Sequence, residues 1–226
     1  MWSASVEPPA PLASHLIGFL SDEELARAAR FVSPLDRTRF VAGRAFLRLL
    51  LARHAGAAPA DLRFRYGAHG KPALAGVGSE LRFNLAHSSA LAVCAVAHGR
   101  GEVGVDVEGV RPIPNLEALA RTALSAREVA RLVSLPERVR LRAFYEAWTR
   151  KEAFLKAKGC GIDRPLGSVE VSFGPGESPR LLGGLADPTE AERFCFHAFE
   201  PEAGYVGAMA VAGFAGQVRH LRWCWS

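Results

Sequence analysis

Apolar residues recur at spacings of three and four in two long stretches of this chain, and they alternate with polar residues in several short ones. The first pattern predicts amphipathic helices and the second half-buried strands. One helical stretch covers about 36–54 and offers Phe40, Phe46, Leu47, Leu50 and Leu51 for burial. Ahead of it, Ser21-Asp22-Glu23-Glu24 has the form of a helix start, with the run ending near Phe31. Strand-like runs follow at 62–66, 81–85 and 91–97, the last apolar on both faces and therefore central in a sheet. His98-Gly99-Arg100-Gly101 forms a turn into a strict alternation. There Val103, Val105 and Val107 face one way, while Glu102, Gly104, Asp106 and Glu108 face the other. The second half repeats the order. Ser125-Ala126-Arg127-Glu128 is a capping-box signature, and a long helix through Trp148 ends near Gly159 and Gly161. Strand-like runs at 169–173, 194–199 and 205–211 come after it, and the Gly/Pro-rich stretch 174–188 is a loop with room for a short strand.

Helices followed by antiparallel strands, twice over, predict an α+β protein of two similar lobes, each with helices packed on a small, mainly antiparallel sheet. On this division residues 1–15, rich in Pro, Ala and Ser, are a flexible lead-in. Residues 16–108 form the N-terminal lobe and 109–226 the C-terminal lobe, with a cleft between them as the natural place for a site.

The periodicity also places charges. In the second long helix Leu141, Phe144, Tyr145, Trp148 and Leu155 share a face, and Glu152 falls on it, flanked by Lys151 and Lys156. A carboxylate that faces the interior is costly unless it is paired or bound to a metal. The same residues also permit an ordinary Glu152–Lys156 ion pair one turn apart. Asp106 and Glu108, two apart on one strand face, repel unless a cation lies between them, or else they belong to a solvated edge. Taken together, three carboxylates and two lysines favour a site for a hard cation such as Mg²⁺ and a phosphorylated ligand.

Composition narrows the setting. The 226 residues are 49% hydrophobic and 23% charged, ordinary for a globular chain. A net charge of +5 and a pI near 9.3 favour acidic or polyanionic partners. Cys94, Cys160, Cys195 and Cys224 lie far apart without metal-ligand spacing, and Cys94 and Cys195 read as small buried thiols. No signal peptide or membrane span is visible, so a reduced cytoplasmic protein is expected. Aromatic residues do not interleave with basic ones as in single-strand nucleic-acid platforms, and no P-loop, GxGxxG or GxSxG is present. His87 and Ser88, at the turn after Phe83-Asn84-Leu85-Ala86, can donate to a phosphate or simply hold the turn. Lys71 lies on a tight loop, and Arg44 and Arg48 share a helix face that fits either a phosphate or solvent.

Four blocks in this order resemble the surfactin-type 4′-phosphopantetheinyl transferases. They are Gly70-Lys71-Pro72, Phe83-Asn84-Leu85-Ala86-His87-Ser88, Gly104-Val105-Asp106-Val107-Glu108, and Trp148-Thr149-Arg150-Lys151-Glu152 with Lys156 and Gly159/Gly161. The length resembles that family's monomeric, pseudo-twofold class. The resemblance implies transfer of the phosphopantetheine arm of coenzyme A to a serine of an apo acyl or peptidyl carrier protein, with release of adenosine 3′,5′-bisphosphate. It does not distinguish carriers of fatty acid, polyketide and nonribosomal peptide assembly. It implies Asp106, Glu108 and Glu152 as ligands of Mg²⁺ (or Mn²⁺), with Glu152 also the base that deprotonates the serine. Lys156 is implied at the diphosphate, Lys71 and His87 at phosphates of coenzyme A, and Arg44 at its 3′-phosphate. One departure is plain: many members carry serine before the motif histidine, and this chain carries Ala86.

Overall fold

In the computed structural model, which describes residues 1–99, 101–160, 165–184, 189–214 and 216–225, the chain alternates helical and extended segments in a repeating order. The first half runs β1 (Trp2–Ser5), α1 (Ala10–Leu16), α2 (Asp22–Ala28), α3 (Pro34–Ala55), β2 (Arg63–Tyr66), β3 (Pro72–Ala75), β4 (Leu81–Ser88) and β5 (Leu91–His98). The second runs β6 (Val103–Gly109), α4 (Leu116–Ala123), α5 (Ala126–Ser134), α6 (Glu137–Lys158), β7 (Glu170–Val171), β8 (Leu181–Gly183), α7 (Glu190–Arg193), β9 (Phe194–Phe199), β10 (Tyr205–Ala212) and β11 (Leu221–Arg222). Gly161 and Arg100, which the sequence assigns to a helix end and a turn, lie outside the described residues.

Each half has a leading strand, two short helices, one 22-residue helix, a two-stranded ribbon and an antiparallel hairpin, and the second adds the four-residue α7. The strand order β1-β5-β4 matches β6-β10-β9, with β11 added beside β1. The α+β, two-lobed architecture expected from the sequence is therefore present. Strand pairing places the junction before β6, which joins β10, rather than after Glu108. The segment 1–15, expected to be flexible, instead contains β1, paired residue by residue with β5 from Trp2–Cys94 to Ser5–Leu91. A Pro- and Ala-rich composition signals flexibility only while the backbone lacks partners, and here a sheet edge supplies them.

Three apolar clusters hold the fold. Phe46, Leu47, Leu50 and Leu51 of α3 pack with Phe83 and Cys94 in the first lobe. Phe144 and Phe154 of α6 pack with Val169, Phe173 and Ala208 in the second. Between the two sheets, Leu91, Val93 and Ala95 of β5 meet Val103, Val105 and Val107 of β6 and Met209 and Val211 of β10. This third cluster explains why β5 is apolar on both faces: Ala92 and Cys94 face α3, and its odd-numbered residues face the other lobe. Cys94 is buried, which pushes its thiol up to about 12. Cys195 departs from expectation: it lies exposed on the edge strand β9, its thiol 3.0 Å from Phe214 O. No helix of the described residues is long and apolar enough to cross a membrane.

Candidate active site

The site grows from the contact between β6 and α6. A Cβ at Gly104 would stand 2.1 Å from Ala153 O and 2.3 Å from Ala157 N, so only glycine lets the strand lie on the helix. Strand alternation then turns Asp106 and Glu108 toward α6 while the three valines enter the inter-lobe cluster. Asp106 is 4% exposed. Its Oδ1 accepts from Lys156 Nζ at 2.5 Å, and its Oδ2 is buried with no hydrogen-bond partner among the described residues. Burial raises the Asp106 carboxyl to about 7; Lys156 opposes the rise, and Glu108 and Glu152 add to it. Helical spacing puts Glu152 one turn before Lys156, with Oε2 4.0 Å from Nζ. Glu152 is not the buried carboxylate that the apolar stripe suggests. Its side chain is 28% exposed, and it lines a cavity of about 580 Å³.

Glu108 reaches the rim of the same face, where its Oε2 accepts from Ser88 Oγ at 2.7 Å. That hydroxyl also accepts from the Gly109 N–H at 3.2 Å. Among the described residues no group of three or more His, Cys, Asp or Glu side chains lies close enough together to hold a metal ion as the side chains stand. The Lys156 ammonium is the cation that Asp106 faces, and it satisfies charge that the carboxylates would otherwise share.

Lys71 lines the cavity, but its Nζ donates to Val103 O at 2.9 Å and Ala157 O at 2.8 Å, which ties the β2–β3 turn to β6 and α6. Desolvation lowers it to about 8, against the pull of Glu102. His87 is exposed at the end of β4. The surrounding protein and the Lys156 ammonium hold its imidazole below the ordinary value, Glu108 opposing, so the ring is neutral at pH 7.

Two cations that the sequence assigns to the ligand lie elsewhere. Lys151 is fully buried, and its Nζ bonds Glu128 Oε2, Ala123 O (3.2 Å) and Leu166 O (3.1 Å). One residue on a helix turns the side chain by about 100°, enough to move Lys151 from the Glu152 face to α5. Arg44 bonds Glu24 through Nε at 2.7 Å and lies over the Phe64 ring. Arg48 takes the other Glu24 oxygen at 2.7 Å and also bonds Pro59 O and Leu62 O. These are equivalent devices in the two lobes: the capping-box glutamate of a short helix, Glu24 or Glu128, is buried against a cation of the long helix. Neither Arg44 nor Lys151 lines the cavity.

The wall that the sequence does not predict comes from α4, where Leu119, Thr122 and Ala123 face Trp148, Leu155 and Leu166. Its signal was Asn115, whose Oδ1 caps α4 by accepting from Ala118 N. Asn84 also reaches this cavity.

Comparison with known proteins identifies the family. Residues 102–210 match the family described as 4′-phosphopantetheinyl transferase superfamily. Residues 5–99 match 4′-phosphopantetheinyl transferase, N-terminal. The 4′-phosphopantetheinyl transferase HetI of Nostoc sp. is 39% identical over 219 residues, covering 96% of this chain and 89% of that protein. The 4′-phosphopantetheinyl transferase Sfp of Bacillus subtilis is 30% identical over 155 residues, 69% of this chain and 67% of that one. The crystal structure of holo-[acyl-carrier-protein] synthase (AcpS) from Thermotoga maritima aligns with a TM-score of 0.37 and 23% identity over 49% of this chain and 62% of that chain. With identity sustained across nearly the whole length and both family descriptions matched in order, this chain belongs to the 4′-phosphopantetheinyl transferase superfamily.

Proposed function

We propose that the chain moves the 4′-phosphopantetheine arm of coenzyme A onto a serine hydroxyl of an apo carrier protein, using Mg²⁺ or Mn²⁺ and releasing adenosine 3′,5′-bisphosphate. The observation that carries this reading is Asp106: a buried carboxylate whose Oδ2 has no hydrogen-bond partner among the described residues, beside Lys156 and on the side of α6 that bears Glu152. In donor chemistry the residues fit a hard divalent cation, which takes one or two carboxylates and leaves its other positions to water and phosphate. Asp106, Glu108 and Glu152 would hold it. When bound, such a cation neutralises charge on the diphosphate oxygens.

The remaining work falls to this chain's own groups. Lys156, freed in part from Asp106, pairs with the diphosphate and offsets charge on the departing side. His87 offers a neutral N–H to a phosphate oxygen, and Lys71 offers the one donor that its two backbone carbonyls leave over. Glu152, exposed enough to exchange protons with water, accepts the serine proton. The serine oxygen then bonds to the pantetheine-side phosphorus, the bond from that phosphorus to the bridging oxygen breaks, and the bridging oxygen leaves with the adenosine 3′,5′-bisphosphate. The apolar wall of α4 and Trp148 suits the pantetheine arm. The basic surface suits an acidic carrier and speeds encounter.

The test is a mass measurement on an apo carrier protein incubated with the chain, coenzyme A and Mg²⁺. A phosphopantetheine mass gain is expected, and Asp106→Ala, Glu152→Ala and Lys156→Ala each reduce it at least about 100-fold while the fold survives. Nucleotide release with an unmodified carrier points instead to a hydrolase, and near-normal transfer by Glu152→Ala contradicts its role as base.

A further inference from the structure

β4 and β6 are edge strands of different sheets. They lie side by side, and two side chains of β4 serve where a backbone ladder would otherwise run. Asn84 Oδ1 accepts from the Val105 N–H at 2.8 Å, and Ser88 Oγ accepts from the Gly109 N–H at 3.2 Å. Both pairs are four residues apart on both strands, so the stitches bracket the segment that carries Asp106 and Glu108. Asn84 and Ser88 are 6% and 8% exposed, so water competes little for either bond. Between them Ala86 faces the same way, buried in the inter-lobe apolar cluster, and brings no acceptor. Ala86 itself does not line the cavity.

The Ser88 hydroxyl has a single proton. Its oxygen accepts from Gly109, and the proton goes to Glu108 Oε2. One hydroxyl thus fixes both the strand and the carboxylate, and it has no second O–H for a phosphate. With Oε2 bonded to Ser88, Oε1 is the Glu108 oxygen left without that bond.

We propose that Asn84 and Ser88 are positioning residues, which lock β6 to the N-terminal lobe so that Asp106 and Glu108 are held on the α6 side of the strand, with side-chain rotation alone left to bring them onto a shared cation, and with Ser88 also selecting the orientation of the Glu108 carboxylate. This rests on the divalent-cation site proposed above. The experiment is a Mn²⁺ titration of the full chain without coenzyme A or carrier, with free Mn²⁺ read by electron paramagnetic resonance and thermal unfolding recorded for each variant. Ser88→Ala and Asn84→Ala are each expected to weaken Mn²⁺ binding about tenfold, and Ser88→Thr to stay within about threefold of the parent, as outer-shell partners of metal ligands behave. Ser88→Cys, close in size but a poor donor, is the second variant and shows the same loss as Ser88→Ala. In a Glu108→Ala background Ser88→Ala weakens binding less than it does in the parent, because the part of its effect that passes through that carboxylate is gone. Folded Ser88→Ala and Ser88→Cys proteins with parental affinity overturn the positioning role, as does full additivity with Glu108→Ala. Parental Mn²⁺ affinity in Asp106→Ala overturns the cation site itself.

Discussion

Asp106 is held where its charge is costly, and the cost has a measurable sign. Its carboxyl ordinarily titrates near 3.8 and here near 7, with burial as the leading cause. Between those values the folded chain binds more protons than the unfolded one, so stability falls as pH rises through that window and stays low above about 7. In EDTA, denaturant unfolding is expected to show Asp106→Asn gaining on the order of 3 kcal/mol relative to the parent between pH 4 and pH 8. Equal pH profiles would contradict the burial argument. At this scale the sequence was informative where spacing alone decides direction. Asp106 and Glu108 follow from alternation, and Glu152 and Lys156 follow from one helical turn. It was uninformative for Lys151 and Arg44, because a cation's partner is set by what packs against it. Here the partners are the capping glutamates Glu128 and Glu24, distant in sequence.

At the scale of elements, α6 and β6 form a single working unit whose closeness depends on one missing methyl. Gly104→Ala would drive a Cβ into Ala153 O and Ala157 N. The strand must lift from the helix, carrying Asp106 away from Lys156. We expect a loss of about 3 kcal/mol in urea unfolding, at the upper end of overpacking costs, together with loss of carrier modification. A variant as stable as the parent would mean that the strand and helix separate freely. The long helices α3 and α6 were legible because 22 residues of periodic pattern outweigh local noise. β3, β11 and α4 were not. They are four, two and eight residues long, and the two strands depend on pairing rather than on propensity.

In the whole molecule the end of the chain returns to its beginning. β11 pairs with β1 in parallel, Trp223 N donates to Ser3 O at 2.7 Å, and Trp225 Nε1 donates to Ser5 O at 2.8 Å. The Trp223 ring stands 5.8 Å from Phe46 and 6.1 Å from Trp2. Truncation after residue 218 is therefore expected to lower the melting temperature on the order of 10 °C by uncovering the first lobe's core, read by scanning calorimetry. An unchanged melting temperature would show the tail to be dispensable. This return, the equivalence of β1 with β6, and the stitching of β4 to β6 involve residues tens to hundreds apart, with no residue-level repeat to announce them. The local periods are legible in the residue order, and with them the long helices, the doubly apolar β5 and the faces on which Asp106, Glu108, Glu152 and Lys156 lie, because those depend only on backbone geometry. Packing sets which cations line the cavity, where one sheet gives way to the next and which hydroxyl bonds Glu108, because each depends on which distant surface arrives opposite.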